Sequence, residues 1–121
     1  MFRTLAAASA ALPLLVANSA WAQAPVATVQ YKCAHGKSMT AEYFDGATRT
    51  APDGRPIPGG RVIVTLADGK KLTLPQTMSG SGIRYANEGE SFVFWSKGDT
   101  AFVEEGPKQT LTYENCVGTR K

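Results

Sequence analysis

Cysteine and histidine are scarce in this chain of 121 residues, which contains two cysteines and one histidine. Cys33, His35 and Cys116 do not have the spacing of metal ligands, so we expect no metal site, and nothing in the sequence indicates a cofactor. Basic residues never form a run longer than two, which argues against nucleic-acid binding. Metal-dependent chemistry and nucleic-acid recognition are therefore poor candidates for the function.

Helical periodicity is also missing. After residue 22, apolar residues nowhere recur at three-four spacing over ten or more positions. They alternate instead: Val62, Val64 and Leu66 share one face of an extended segment, and Asp68-Gly69 then gives a strong two-residue hairpin signal. Twelve glycines and seven prolines interrupt the chain. This pattern predicts an all-β protein.

Eight short strands can be assigned from the alternation. They are predicted at 28–33, 38–44, 61–66, around Leu72 and Leu74, and at 83–85, 91–96, 100–104 and 108–114. Short strands at regular spacing predict an antiparallel sheet that curls into a small barrel or sandwich. The stretch between Gly46 and Gly60 is rich in proline, which cannot donate to a sheet, so we predict a long surface loop of unassigned role there.

The first 22 residues have the pattern of a secretory signal peptide. Met1-Phe2-Arg3 is cationic, residues 5–16 are apolar, and Ala20-Trp21-Ala22 fits a small-x-small cleavage site. No cysteine follows the apolar run directly, so we expect no lipid anchor and a periplasmic mature protein. Removal of residues 1–22 leaves one domain, 23–121, whose 12 basic and 10 acidic residues give a formal charge of +2.

Export also bears on the oxidation state of the two cysteines. In an exported protein an even pair is most simply a disulfide, so we predict a Cys33–Cys116 bond. Closing a loop of that length destabilises the unfolded chain by roughly 4.5 kcal/mol in the chain-entropy model. The bond would therefore be a main source of stability for a domain of this size.

The stretch 79–99 contains the most informative residues. A Ser/Gly tip leads into a short strand, the chain turns at 87–90, and an apolar, aromatic run returns to Lys97-Gly98. Two motifs here resemble those of the bacterial inhibitors of c-type lysozyme, the MliC and PliC proteins: Ser81-Gly82-Ile83-Arg84-Tyr85 and Phe94-Trp95-Ser96-Lys97-Gly98. Weaker similarity extends to Tyr31-Lys32-Cys33, Ala67-Asp68-Gly69-Lys70 and Cys116.

The resemblance implies an eight-stranded antiparallel β-barrel, a non-enzymatic function and c-type lysozyme as the partner; it leaves the oligomeric state open. A retaining glycosidase holds two carboxyl groups about 5 Å apart, and lysozyme keeps one of them protonated to roughly pH 6. A hydroxyl can donate to the ionised group and accept from the protonated one.

The resemblance also implies individual roles at this site. Ser81 supplies the hydroxyl, and Lys97 supports it with a positive charge. Gly80 and Gly82, on either side of Ser81, lack side chains, which would let the backbone approach closely. Tyr85 and Arg84 are further contact candidates, as a flat surface and a polar rim group.

Other interpretations stay open. Ser81 fits a turn serine and Lys97 a solvated strand-end charge, while Tyr85 and Trp95 fit core residues. A Ser-Lys hydrolytic dyad is a further alternative, but nothing in the sequence supplies an oxyanion hole.

A third alternative is a periplasmic barrel that binds a small ligand, although the many large residues predict a filled interior.

Since c-type lysozymes are basic, local acids would have to attract them to this protein. The candidates are close to the motifs in sequence: Glu88, Glu90, Asp99, Glu104 and Glu105.

Overall fold

In the computed structural model, which describes residues 23–121, the chain forms ten strands. The bounds are β1 Ala27–Lys32, β2 Ser38–Phe44, β3 Arg49–Thr50, β4 Pro56–Ile57, β5 Arg61–Thr65, β6 Lys71–Thr77, β7 Ile83–Ala86, β8 Phe92–Lys97, β9 Thr100–Glu105 and β10 Thr110–Arg120. A short 3₁₀ turn, Ala34–Gly36, follows β1. The predicted signal peptide, 1–22, lies outside the described residues.

Eight of these strands close into a barrel. Its order is β1-β10-β9-β8-β7-β6-β5-β2, and β1 closes the ring by pairing with β2. Every pairing within the ring is antiparallel. The prediction of an all-β, eight-stranded antiparallel barrel is confirmed.

Large side chains fill the middle of the barrel. Tyr31 and Phe94 meet edge to face with ring centroids 6.0 Å apart, and both are almost fully buried. The valines of β5 that alternate in the sequence, Val62 and Val64, are completely buried, as the period of two requires. Among the described residues, no helix has the length and apolar character needed to cross a membrane.

The last strand is longer than the sequence pattern indicates. It was expected to end at residue 114 but runs from Thr110 to Arg120. The pairing with β9 shifts between Tyr113 and Cys116, and Asn115 has a positive φ of 52° within that shift. Such a bulge breaks the alternation that identifies a strand but lets Cys116 face inward, where it forms the predicted disulfide with Cys33.

The proline-rich connection is on the surface, as predicted, but it is not irregular. Arg49–Thr50 and Pro56–Ile57 pair as a small antiparallel sheet outside the barrel, with Thr50 opposite Pro56. Proline fits because the outer side of such a short strand needs no donor. We refer to residues 46–60 as the 46–60 hairpin.

The antiparallel order sorts the connections onto two ends of the barrel. The closed end carries the short turns 33–37, 66–70, 87–91 and 106–109. The open end carries the 46–60 hairpin, the Ser81 loop (residues 78–82), the turn at 98–99, the start of β1 and the end of β10. The two motifs singled out in the sequence therefore meet at the open end.

Candidate functional site

The Ser81 loop is held in place by hydrogen bonds between the Ser79 side chain and the loop's own backbone. The Ser79 hydroxyl lies 2.6 Å from the Ser81 carbonyl oxygen and 3.1 Å from that of Gly82, and the Ser81 N–H donates to Ser79 Oγ at 3.2 Å. Ser81 itself is exposed, and its hydroxyl has no hydrogen-bond partner among residues 23–121. The loop thus presents a free hydroxyl from a fixed backbone.

Trp95 fastens this loop to the neighbouring strand. Its indole N–H donates to the Ser81 carbonyl oxygen at 2.8 Å. The indole ring stacks on Phe102 at 5.8 Å on the outer surface of β8 and β9, which limits its movement. Sequence reasoning assigned Trp95 to the core or to a half-buried position of the barrel, and it is half-buried. The alternation from buried Phe94 could have indicated that it points outward, on the same face as Lys97.

Gly82 is required by the geometry at the start of β7. Its φ is +67°, and a Cβ at this position would lie 2.7 Å from the Ser96 carbonyl oxygen. Only glycine combines this backbone conformation with so close an approach to β8. Gly80 was expected to help in the same way, but a Cβ added to it would meet no atom within 4 Å, so the approach does not need a glycine there.

Lys97 ends β8 beside the Ser81 loop. Ile83, the first residue of β7, pairs with Ser96. One residue further toward the open end, Gly82 just before β7 therefore lies beside Lys97, the last residue of β8. Thr100 Oγ1 donates to the Lys97 carbonyl oxygen at 2.8 Å and fixes the turn. Lys97 is exposed, and within the described part of the chain no acidic side chain pairs with it.

A cavity of about 510 Å³ opens between these elements, and we call it the mouth cavity. Its floor carries phenol groups: the hydroxyls of Tyr31 and Tyr43 are 2.6 Å apart, whereas that of Tyr85 has no partner among the described residues. Burial raises the pKa of Tyr85 to about 12, and it also raises the pKa of Tyr31 and of Tyr43. All three phenols are therefore neutral at physiological pH. Around them the wall is mixed, with Val29, Ile83, Gln76, Ser96, Asp45 and Arg120.

Two of the expected contact residues are not free at the surface. Tyr85 is 4% exposed because β7 alternates and turns it inward, so it does not offer a flat outer surface. Arg84 points outward, but its guanidinium is bound to Glu90 and to Thr77 Oγ1, each at 2.9 Å, and its side chain is only 13% exposed. Arg84 supports β7 rather than forming a free polar rim.

The expected local acidic field is absent from the Ser81 side. Glu88 and Glu90 lie in the turn between β7 and β8, at the closed end, and β9 carries Glu104 and Glu105 to that same end. Only Asp99 of the five candidate acids is at the open end. The reason is topological: the turn of an antiparallel hairpin lies opposite the loops that flank it.

The open end is accordingly the more basic one. Its charged residues are Arg49, Arg55, Arg61, Lys97, Arg120 and Lys121 against Asp45, Asp53 and Asp99. In residues 23–121, no group of three or more histidine, cysteine or carboxylate side chains could hold a metal ion. The chemistry available here is hydrogen bonding and positive charge.

Comparisons with known proteins identify the family of this chain. The family described as "Membrane-bound lysozyme-inhibitor of c-type lysozyme" (MliC), a family of inhibitors rather than enzymes, matches residues 56–112. No solved structure matches the chain. A protein of Yersinia enterocolitica named "Membrane-bound lysozyme inhibitor of C-type lysozyme" is 31% identical over 108 residues, which cover 89% of this chain and 79% of that protein.

A protein of Cupriavidus necator with the same name is 30% identical over 80 residues, or 66% of this chain and 54% of its own length. The matched region contains the Ser81 loop, the turn after Lys97 and the strands between them. The chain belongs to the MliC family of c-type lysozyme inhibitors.

Proposed function

We propose that this protein inhibits c-type lysozyme by placing the Ser81 loop in the enzyme's sugar-binding cleft, with Lys97 beside it. Family membership supports the target, because both relatives are named as inhibitors of that enzyme. The observation that favours the mechanism is the unpaired, exposed hydroxyl of Ser81 on a loop held by Ser79 and Trp95. A group already fixed in its binding conformation loses little entropy when it docks.

The hydroxyl suits the enzyme's two carboxyl groups. It donates its proton to the ionised carboxylate and accepts a hydrogen bond from the protonated one. Because the proposed contact needs that protonated acid, affinity should decline modestly as pH rises above about 6. An inhibition constant that stays flat from pH 5 to 8 would contradict this part of the mechanism.

Lys97 contributes a cation where the enzyme is acidic. It is exposed and has no acidic partner of its own in the described chain, so it is available to a carboxylate of the cleft. Ion pairs that lose water on docking couple by a few kcal/mol, and removal of one partner leaves the other charge unpaired. The basic character of the open end acts in the same direction at short range.

The direct experiment is a turbidity assay of c-type lysozyme on cell walls with the protein and its variants. Ser81→Ala and Lys97→Ala should each weaken inhibition by about 2 kcal/mol, or about thirty-fold, without changing the melting temperature. Ser91→Ala and Lys71→Ala are matched controls, because they remove an exposed serine and an exposed lysine far from the open end. If both open-end variants inhibit as well as the parent, loop insertion is wrong.

Location forms part of the proposal. Both relatives are named as membrane-bound inhibitors of c-type lysozyme, which supports a location in the cell envelope. We infer that cleavage after Ala22 releases the chain into the periplasm without an anchor. Mass spectrometry of the protein from the periplasmic fraction should find Gln23 as the first residue; recovery only from membranes would contradict the inference.

The mouth cavity favours a second candidate, a small-ligand-binding barrel. Its volume lies within the usual range for small-molecule sites, and the Tyr85 hydroxyl inside it lacks a partner in the described chain. Native mass spectrometry of the purified protein tests this candidate. A retained molecule that Tyr85→Phe releases would support it, whereas an empty parent protein would leave inhibition as the function.

A further inference from the structure

The 46–60 hairpin leaves the barrel at the end of β2 and returns at the start of β5, so both of its ends are at the open end. In the barrel β5 is followed by β6, and the Ser81 loop begins where β6 ends. The hairpin and the Ser81 loop are therefore neighbouring connections on one rim. A partner that covers one of them lies beside the other.

The hairpin has a rigid base. The backbones of Gly46 and Gly59 are pressed together so closely that a Cβ on Gly46 would overlap the Gly59 carbonyl group. Beyond this base, Arg49 pairs with Ile57 and Thr50 with Pro56. The close approach of the two backbones at the base therefore requires glycine at positions 46 and 59.

Its tip is organised as well. The Ala51 N–H donates to the Arg55 carbonyl oxygen at 2.8 Å, and the Gly54 N–H donates to that of Ala51 at 2.9 Å. Asp53 accepts from the Arg55 backbone N–H at 3.1 Å and from its guanidinium at 2.7 Å. The two tip charges neutralise each other, so the tip presents little net charge to a basic enzyme.

The hairpin does little for the barrel itself. Within the described residues, the hydrogen bonds of residues 47–58 remain inside the hairpin, and residues 45–50 and 52–56 are exposed. It does not line the mouth cavity. A long connection that contributes so little to the barrel is more often functional than structural.

The size of a specific protein interface also indicates that more of the open end than the Ser81 loop takes part in binding. A specific interface buries about 800 Å² on each partner and uses about 20–30 residues a side. The Ser81 loop and the turn after Lys97 provide residues 78–82 and 97–99, which is too small a footprint. The missing area has to come from the neighbouring parts of the rim.

We propose that the 46–60 hairpin is a second contact with the inhibited lysozyme, bracing the enzyme beside the cleft that the Ser81 loop enters. This inference rests on the proposed function, since the partner is the same. The contact depends on shape more than on charge, because Asp53 and Arg55 are paired. Its main effect is to slow dissociation.

The test is a deletion of residues 47–58 that joins Gly46 directly to Gly59. Residues 45, 46, 59 and 60 then form a four-residue loop between Phe44 and Arg61, which already pair. We expect the inhibition constant to rise about ten-fold or more, mostly through faster dissociation. The melting temperature should stay close to that of the parent. Inhibition unchanged from the parent would overturn the proposal.

A second variant keeps the backbone and reverses one charge. Arg55→Glu leaves the tip with two acids, so a tip that faces a basic lysozyme should speed association at low salt and lose that gain at high salt. An association rate equal to that of the parent at low salt, where the gain is expected, would contradict the contact. Ser81→Ala and Lys97→Ala serve as references. Full inhibition by both of them, combined with loss of inhibition on deletion of the hairpin, would overturn loop insertion but leave the hairpin contact standing.

Discussion

The two ends of the barrel differ in construction. At the closed end, short turns join the strands and side chains bond across them: the Ala67 N–H donates to Tyr113 Oη at 3.0 Å, and Lys37 Nζ donates to the Thr112 carbonyl oxygen at 2.6 Å. The disulfide from Cys33 lies nearby. At the open end there is a cavity, and within residues 23–121 the Tyr85 phenol and the side chains of Ser81 and Lys97 have no partner.

This difference separates stability from function within one small domain. The bonds at the closed end join distant parts of the chain, and the groups that form them are already paired. The Ser81 and Lys97 side chains at the open end are exposed and keep their hydrogen-bonding capacity, which leaves them available for docking. Closed-end changes should therefore affect unfolding, whereas open-end changes should affect inhibition.

The largest effect is expected for the disulfide. Replacing both Cys33 and Cys116 with alanine should lower the free energy of unfolding by about 4.5 kcal/mol, because the bond closes a long loop in the unfolded chain. Urea titration measures the loss. Protein that is still folded, checked at low temperature, should inhibit normally; a loss of inhibition in the folded fraction would break the separation between the ends.

A matched pair of glycines gives the next effect. Gly82 and Gly69 both have positive φ, but a Cβ on Gly82 meets the Ser96 carbonyl oxygen at 2.7 Å, whereas one on Gly69 meets nothing within 4 Å. Alanine at either site costs about 1–2 kcal/mol of backbone strain.

Only Gly82→Ala should also displace the Ser81 loop and weaken inhibition about ten-fold or more. Thermal melts of both variants measure the loss of stability, and the turbidity assay measures the loss of inhibition. Equal inhibition by the two variants would show that the position of the loop does not matter.

Two tyrosines sharpen the comparison further. Tyr113→Phe removes the acceptor of the Ala67 N–H and should cost about 1 kcal/mol of unfolding free energy. Tyr85→Phe removes a hydroxyl that has no partner in the described chain, so its effect should be under about 0.5 kcal/mol. Urea titration distinguishes them, and a larger loss for Tyr85→Phe would reveal a bond at the open end.

The smallest effect is expected from pH in the neutral range. The pKa of Tyr85 is raised to about 12, and those of Tyr31 and Tyr43 are raised as well. Raised pKa values favour the protonated phenols in the folded state. The stability they contribute is thus fully present below pH 10 and is lost as the pH rises from there through 12. Urea titrations should agree at pH 7 and 9 and fall at pH 11; equal values at pH 7 and 11 would contradict this.

Alternation and turn residues were enough to predict the strands of the barrel, whereas the placement of Lys97 beside Ser81 was implied by the resemblance to the lysozyme inhibitors. The alternation works because each strand has one buried face and one exposed face, as in β5 with Val62 and Val64. The disulfide followed from export and an even cysteine count. These features depend on local pattern or compartment, which a sequence records directly.

Other features depend on how strands meet in space. The bulge at Asn115 hid the second half of β10, and the pairing inside the 46–60 hairpin has no apolar pattern. Proximity in sequence suggested that Glu88 and Glu90 flank Ser81, although the strand between them carries these acids to the opposite end. Trp95 holds the Ser81 loop through one hydrogen bond, from its indole N–H to the Ser81 carbonyl oxygen, and this bond depends on how β8 lies beside the loop.

Both ends of the described chain lie at the open end. Gln23 bonds to Arg61 and to the Asp45 carbonyl oxygen there, and Lys121 follows the last residue of β10. Affinity tags, fluorophores or a sensor chip coupled at either terminus would crowd the face that carries Ser81. Coupling through the turn at Gly69 instead would display that face to solution and avoid masking the activity being measured.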